Sequence, residues 1–293
     1  MDAFKLIEEG LPAVHRERNF SFARYTTIGS GGVAALALSP SSIEEAAHTI
    51  AFLKEREIPY CFLGAGANVL PRDGEFEGAV IRFQRLKTLY RSADFLYAGA
   101  GVTGGELLSF AGANSITGFE PFVGIPTTVG GGVAMNAGVA QRHFCDLVVQ
   151  VVGCQDGVMK IFSKEDCRFS LKSSVFLEGI AVLGVYFQAD GAPQDEIKAR
   201  TAHYVERRKH LPKGRSMGCT FVNPEGQSAG EIIERCGLKG RRVGQAHIST
   251  EHANFIINEG TRSSDVAALI DAVKEEVLHK TGILLREEIR RIP

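Results

Sequence analysis

The stretch GCTFVNPEG (218–226) sets one thiol, Cys219, among small and turn-forming residues just ahead of an Asn-Pro pair. A cysteine in such a place can be a nucleophile, a metal ligand, a proton donor or a small buried filler. No His or Cys lies nearby at metal-ligand or relay spacing, which disfavours metal and acyl-enzyme chemistry. With a reference pKa of about 8.5 the thiol is mostly protonated at neutral pH, so it can act as a general acid. A second candidate is the closing stretch LLREEIRRI (284–292), with adjacent carboxylates Glu287 and Glu288. On an extended strand these two point to opposite faces, so a single site can use only one.

Two glycine clusters could hold an anion or a cofactor. LGAGANVL (63–70) follows a short apolar run and contains Gly-x-Gly. A dinucleotide fingerprint would need a third glycine where Val69 stands, and Pro71 stops a helix from starting there. What remains is a turn whose successive N–H groups can form an anion nest, or simply a tight turn. GFEPFVGIPTTVGGGVAMNAG (118–138) is too apolar for an exposed linker. Its irregular backbone must find hydrogen-bond partners when buried, and a polar cofactor would supply them. A glycine-rich packing loop is the alternative.

The elements that must position these residues can be read from periodicity. VAALALS (33–39) reads as a strand. The helix after it has a capping-box spacing at Ser41 and Glu44, with Ile43, Ala46, Ala47, Ile50 and Leu53 on one face. Short strands are expected at 60–63, 79–83 and 94–99, a helix at 105–114, and strands at 146–152, 157–162 and 181–188. QADGAPQDE (188–196) marks a composition shift and a domain boundary. Beyond it come a helix over 194–209 and another opened by Ser228 and Glu231. A strand is expected at 252–258. The segment 263–281 has apolar residues at 266, 269, 270, 273 and 277 and stops at Gly282. The last ten or so residues read as a strand.

Bulk properties exclude several classes. The chain has 293 residues with 44% hydrophobic and 23% charged content, a folded two-domain composition. A net charge of −1 gives no general field for nucleic acid or anionic membrane. No window is long and apolar enough to span a bilayer, and the first twenty residues lack the pattern of a secretory leader, so a cytoplasmic protein is expected. The six cysteines (61, 145, 154, 167, 219, 236) form no CxxC pair and are expected to be reduced, with no metal site.

Taken together, TTIGSGGVA (26–34), LGAGANVL, GIPTTVGGGVAMNAG (124–138), GCTFVNPEGQSAGEIIERCGLKG (218–240), GQAHISTEHANFIIN (244–258) and GILLREEIRRI (282–292) resemble, in the family's order, the UDP-N-acetylenolpyruvoylglucosamine reductase family. The resemblance covers nearly the whole chain. It implies an α+β protein: an N-terminal extension (1–20), an FAD-binding fold of the vanillyl-alcohol-oxidase type in two subdomains (21–75 and 76–190), and a C-terminal substrate-binding domain (191–293). The short stretch 176–210 is similar to the family's compact second type. The implied activity is NADPH-dependent reduction of an enolpyruvyl nucleotide sugar, with FAD as cofactor, for peptidoglycan synthesis. A monomer is expected, with that small molecule as its partner. An FAD oxidoreductase with another substrate, or an inactive protein retaining the fold, is the competing reading.

The resemblance also assigns residues. Cys219 stands where the family has a proton-donating serine, in a Gly-Ser-x-Phe-x-Asn-Pro motif. The family's ending selects Glu288 over Glu287 as the second catalytic group. The family's Tyr-Arg-x-Ser-x-Phe appears as LKSSVF (171–176), with Lys172 for the arginine, Leu171 for the tyrosine, and Ser174 and Phe176 matching. Lysine brings the charge without the planar fork, and Arg168 is a conceivable substitute. FAD is expected along Gly64, Ala65, Gly66, Ala67 and Asn68, along Gly124, Ile125 and Pro126, along Gly130 and Gly131, and at Asn136 and Gly138. Thr127 stands where a glycine is usual. Asn223 is expected to contact substrate, and Lys239, His252, His210, Lys213 and Arg215 are candidates for its diphosphate.

Overall fold

The structure, a computed structural model, describes residues 3–139 and 142–293. These form two compact units, described separately. The first comprises the chain up to Arg18, Leu36–Ala65 and Gly78–Lys209; the second comprises Asn19–Ala35, Gly66–Glu77 and His210–Pro293.

A four-stranded sheet, most of it in the first unit, runs in the order His15–Ser21, Val33–Ser39, Glu75–Ile81, Tyr60–Phe62. The last two strands are parallel, with Tyr60 opposite Ala79. In sequence the helix Ile43–Glu55 links Val33–Ser39 to Tyr60–Phe62. Its apolar face (Ala46, Ala47, Ile50, Leu53) packs with Leu36, Leu38, Ala79 and Ile81 in one core. The cap falls one residue later than its expected place: Ser42, not Ser41, is the N-cap and accepts from Glu45 N. Ser42 is extended (φ −134°, ψ 166°), the geometry an N-cap needs, while Ser41 instead hydrogen-bonds the Glu45 carboxylate.

A five-stranded antiparallel sheet has the order Val158–Ser163, Val148–Gln155, Ala181–Gln188, Phe95–Gly99, Leu89–Ser92. A second core joins this sheet's Leu96, Val151, Val185 and Phe187 to Phe119, Phe122 and Phe144. It also takes in Leu107 and Ala111 of the helix Gly104–Ala113, together with Val129 and Val133 of the helix Val129–Ala134. This last helix explains part of the glycine run. A Cβ on Gly132 would lie 2.9 Å from the Phe144 ring, and one on Gly130 would lie 3.0 Å from the Ala100 methyl. A side chain at 132 would run into the ring, and one at 130 would press on Ala100.

The second unit is built on the helix Ser263–Thr281 and the antiparallel strands Arg242–Val243, Ala246–Ile248 and Ile256–Asn258. Val266, Leu269, Ile270, Val273 and Val277 are all buried, as their spacing required. Each such side chain contributes about 1.5–3 kcal/mol when removed from water. The helix stops at Gly282, which takes φ 72° as a left-handed cap. The final segment departs from expectation. Only Arg290–Ile292 is a strand, parallel to Val69–Pro71. The residues before it meet another segment at a single bridge, Phe221 with Glu287, too short a ladder to make a strand. At 252–258 the strand begins only at Ile256, because residues 252–255 close a turn with Phe255 N donating to His252 O.

No side chain of the long helix caps its own start. Asp73, far away in sequence, does so, accepting from Ser263 N at 2.8 Å and Ser264 N at 2.9 Å. Burial alone would raise the Asp73 carboxyl, but these bonds and Arg262 hold it below its usual value. Asp73→Ala should therefore lower stability by about 1 kcal/mol in denaturant unfolding at neutral pH. The folded-state pKa is depressed, so the contribution is full above the unfolded pKa of about 3.9 and is lost as pH falls through the folded value. The gap between the variant and the natural protein should close in acid.

Candidate functional site

In the first unit, the loop after strand Tyr60–Phe62 runs against the start of the glycine-rich helix. A Cβ on Gly64 would sit 2.8 Å from Thr128 Oγ1 and 3.6 Å from Gly131 Cα, so two glycine clusters distant in sequence touch. None of the main-chain N–H groups from Gly64 to Asn68 donates a hydrogen bond within the described residues. A run of free donors in a bend is the nest that an anionic cofactor group occupies. Gly124 (φ 72°) shapes the following loop, and its Cα face lies beside the Arg208 side chain. Ile125 N closes a turn onto Phe122 O, leading into Pro126.

Asn136 is used by the protein itself. Its Oδ1 accepts from Cys145 N at 3.0 Å and its Nδ2 donates to Ser170 O at 2.9 Å, in a side chain only 3% exposed. Its main-chain N–H also donates, to Val133 O, which leaves the main-chain carbonyl rather than the amide for a ligand. The bond to Ser170 anchors the turn that carries Lys172, where Ser170 and Ser173 pair and Lys172 takes φ 58°. Lys172 Nζ lies 3.4 Å from Gly138 O, so this cation sits over the end of the glycine-rich loop. Ser174 is buried and donates to Ala134 O at 2.7 Å, and Phe176 packs edge-on to Phe162. Arg168 faces elsewhere, paired with Glu178 at 2.7 Å on the surface, and does not stand in for the missing arginine.

In the second unit, Cys219 follows Gly218 (φ 74°) and is half-buried. Its segment is clasped on both edges. On one side Cys219 pairs with Phe255 and Thr220 N donates to Asn254 O; on the other, Glu288 N donates to Thr220 O and Val222 N to Arg286 O. The thiol-bearing and glutamate-bearing segments are thereby neighbours. In the first unit, burial pushes the thiols of Cys61 and Cys167 up to about 12.

The two glutamates separate cleanly. Glu287 Oε1 lies 3.1 Å from Lys274 and its Oε2 lies 3.0 Å from Arg291, which also holds Asp271. Burial works against its charge, but the hydrogen bonds from Arg291 and Lys274 more than offset that, so its pKa is lowered. Glu287 is committed to this ion-pair network. Glu288 follows the Phe221–Glu287 bridge and is half-buried. Asn68, predicted from the first glycine cluster, donates through Nδ2 to Glu288 O at 3.1 Å, a link invisible in the sequence.

The remaining candidates have varied fates. Gly66 (φ 67°) and Ala67 continue the nest; a Cβ on Gly66 would collide with Tyr25 O. Asn223 uses Oδ1 to accept from Ala229 N at 2.9 Å, bracing the helix Ala229–Arg235. Lys239 pairs with Glu234 at 2.7 Å. Burial, with Lys239 nearby, lowers the His252 pKa, so the imidazole is neutral at pH 7. Arg215 donates to Asn258 O at 3.1 Å, and Arg215, His210 and Lys213 are all exposed. Two residues escape sequence reasoning. Asn254 is a buried polar residue inside an apolar run, and that contrast is the signal that marks it. Thr220 is 1% exposed, and its hydroxyl has no partner among the described residues, an unmet bond that a ligand or water would satisfy.

Residues 209–292 match the C-terminal domain of UDP-N-acetylenolpyruvoylglucosamine reductase, and residues 34–155 match an FAD binding domain. The reductase of Geobacter metallireducens is 36% identical over 277 residues, covering 93% of this chain and 92% of that one. The chain belongs to the UDP-N-acetylenolpyruvoylglucosamine reductase family. The reductase of Clostridium novyi is 35% identical over 99% of this chain and 96% of that one. The crystal structure of the reductase from Thermus caldophilus matches with a TM-score of 0.81 at 34% identity, covering 96% of this chain and 99% of that one. A variant of berberine bridge enzyme shares only the fold, with a TM-score of 0.50 at 15% identity over 66% of this chain and 44% of that one. The α+β architecture is thus the FAD-binding fold of the vanillyl-alcohol-oxidase type with a family-specific C-terminal domain. The protein is an oxidoreductase of peptidoglycan synthesis whose cofactor is FAD, in a family that takes hydride from NADPH.

Glu287→Gln should break two partly exposed ion pairs and lower stability by about 1 kcal/mol at neutral pH. Because the Glu287 pKa is depressed, that difference should vanish as pH falls through it. Thermal melting across pH reads both effects, while turnover per folded molecule should be retained.

Proposed function

We propose that this protein reduces the enolpyruvyl ether of UDP-N-acetylglucosamine to the lactyl ether, UDP-N-acetylmuramate, in the cytoplasm and as a monomer, with NADPH as electron source. In this reading residues 21–75 and 76–190 are the FAD-binding subdomains and 191–293 bind the substrate. The observation that carries it is the bonding of the Cys219 segment to the Glu288 segment, through Glu288 N to Thr220 O. It makes neighbours of the two segments that carry an acid and a carboxylate at the family's motif positions. The nest over Gly64–Asn68 and the close approach of Gly64 to Gly131 suit the phosphates and backbone contacts of FAD. When bound, FAD supplies the relay of hydride from NADPH to C3 of the enolpyruvyl group.

The chain's own residues manage charge and proton at the neighbouring carbon. As C3 gains hydride, negative charge builds on C2 and the attached carboxylate. Cys219 gives its S–H proton to C2, and the thiolate left behind is reprotonated by water. Glu288 orients the enolate-like intermediate or relays that proton. Lys172 offsets the developing charge as a point cation, with less geometric specificity than a guanidinium fork. Lys213 and His210 are exposed candidates for the diphosphate. Lys239 and Arg215 already have protein partners, and His252 acts as a neutral donor.

Purified protein should show flavin absorbance that NADPH bleaches and the enolpyruvyl nucleotide restores. Colourless protein unable to take up FAD would defeat the proposal. Bleaching that the nucleotide fails to reverse would point to another substrate. Cys219→Ala should still be bleached by NADPH while product formation falls on the order of 10²–10⁴-fold. Cys219→Ser should keep much of the activity, since a hydroxyl can also donate. Unchanged turnover in Cys219→Ala would refute the acid role.

A further inference from the structure

We infer that Asn254 is the positioning residue for the Cys219 acid, an inference that rests on reading Cys219 as the proton donor. Asn254 is 2% exposed and its amide pairs with both main-chain groups of one residue. Oδ1 accepts from Phe221 N at 2.9 Å, and Nδ2 donates to Phe221 O at 2.8 Å. Its own carbonyl accepts from Thr220 N at 2.8 Å. Three polar groups in the two residues after Cys219 are thus tied to Asn254.

On the other side of Cys219 stands Gly218 at φ 74°, which has no side chain to brace the turn. The direction of the thiol is therefore set from the C-terminal side, by the clamp. The clamp is itself seated: Asn254 N donates to His252 Nδ1 at 3.2 Å, and the next residue, Phe255, pairs with Cys219. Only a side chain that accepts and donates at one planar end can meet an N–H and a C=O together. An ionised carboxylate has no donor and an aliphatic chain has neither function.

That chemistry provides the test. In Asn254→Asp the protonated carboxyl can donate to Phe221 O and rebuild the pair, whereas the ionised form faces that carbonyl with no proton between them. Product formation per bound flavin should be slowed about tenfold or more above the pKa of the introduced carboxyl and recover below it. The natural protein should lack this dependence, and bleaching by NADPH should keep its rate. Independently of turnover, iodoacetamide should alkylate Cys219 severalfold faster in the variant holoenzyme at alkaline pH, read by mass spectrometry of the labelled peptide. If Asn254→Asp fails to fold, Asn254→Ser, too short to reach both groups, should show the same slower product formation and faster labelling. Natural rates of both in a folded variant overturn the inference, as does equal slowing at every pH in Asn254→Asp. If instead Cys219→Ala forms product at the natural rate, the acid reading fails, and this inference falls with it.

Discussion

The chemistry of the second unit depends on main-chain hydrogen bonding around residues 219–222. That short segment is too irregular for a sheet, yet it is bonded on one edge to 254–255 and on the other to 286–288. Backbone polar groups withdrawn from water must be paired, so three stretches distant in sequence are forced into one ladder. The segments that carry Cys219 and Glu288 are neighbours because Thr220 O accepts from Glu288 N. The parallel pairing of Arg290–Ile292 with Val69–Pro71 ties Asn68, at the end of the glycine loop, to the same assembly.

Adjacent residues here have opposite duties. Glu287 is engaged by Lys274 and Arg291, so its charge is balanced and structural. Glu288, the next residue, instead joins the Cys219 segment through its main-chain N–H to Thr220 O. Glycines divide in the same fashion: Gly130 and Gly132 pack closely against Ala100 and Phe144, whereas Gly64 lets the backbone of a nest come close to Thr128 and Gly131. Some glycines of these loops serve packing and others leave room for a ligand, and residue type alone does not tell the two apart.

Periodic features are legible in the residue order alone. The stripe of Val266, Leu269, Ile270, Val273 and Val277 and the stop at Gly282 are local, and helical geometry produces them. The cap at Ser42 lies one residue beyond its expected place because two serines precede two glutamates and only backbone φ and ψ distinguish the registers. The closing segment reads as one strand and its apolar residues fit, but a strand exists only where a partner offers a ladder. Asn136 stands out by its motif, yet its amide serves Ser170 and Cys145.

By itself the sequence determined the family, the motifs that hold Cys219, Lys172 and Glu288, and the helices and strands whose periodicity is local. Tertiary structure decided which polar side chains are already occupied: Glu287 by two cations, Asn223 by a helix start, Arg168 by Glu178, Asn254 by the Phe221 backbone. The reason is physical. Residue type and spacing prescribe what a group can donate or accept, but which partner it meets depends on segments that only folding brings together.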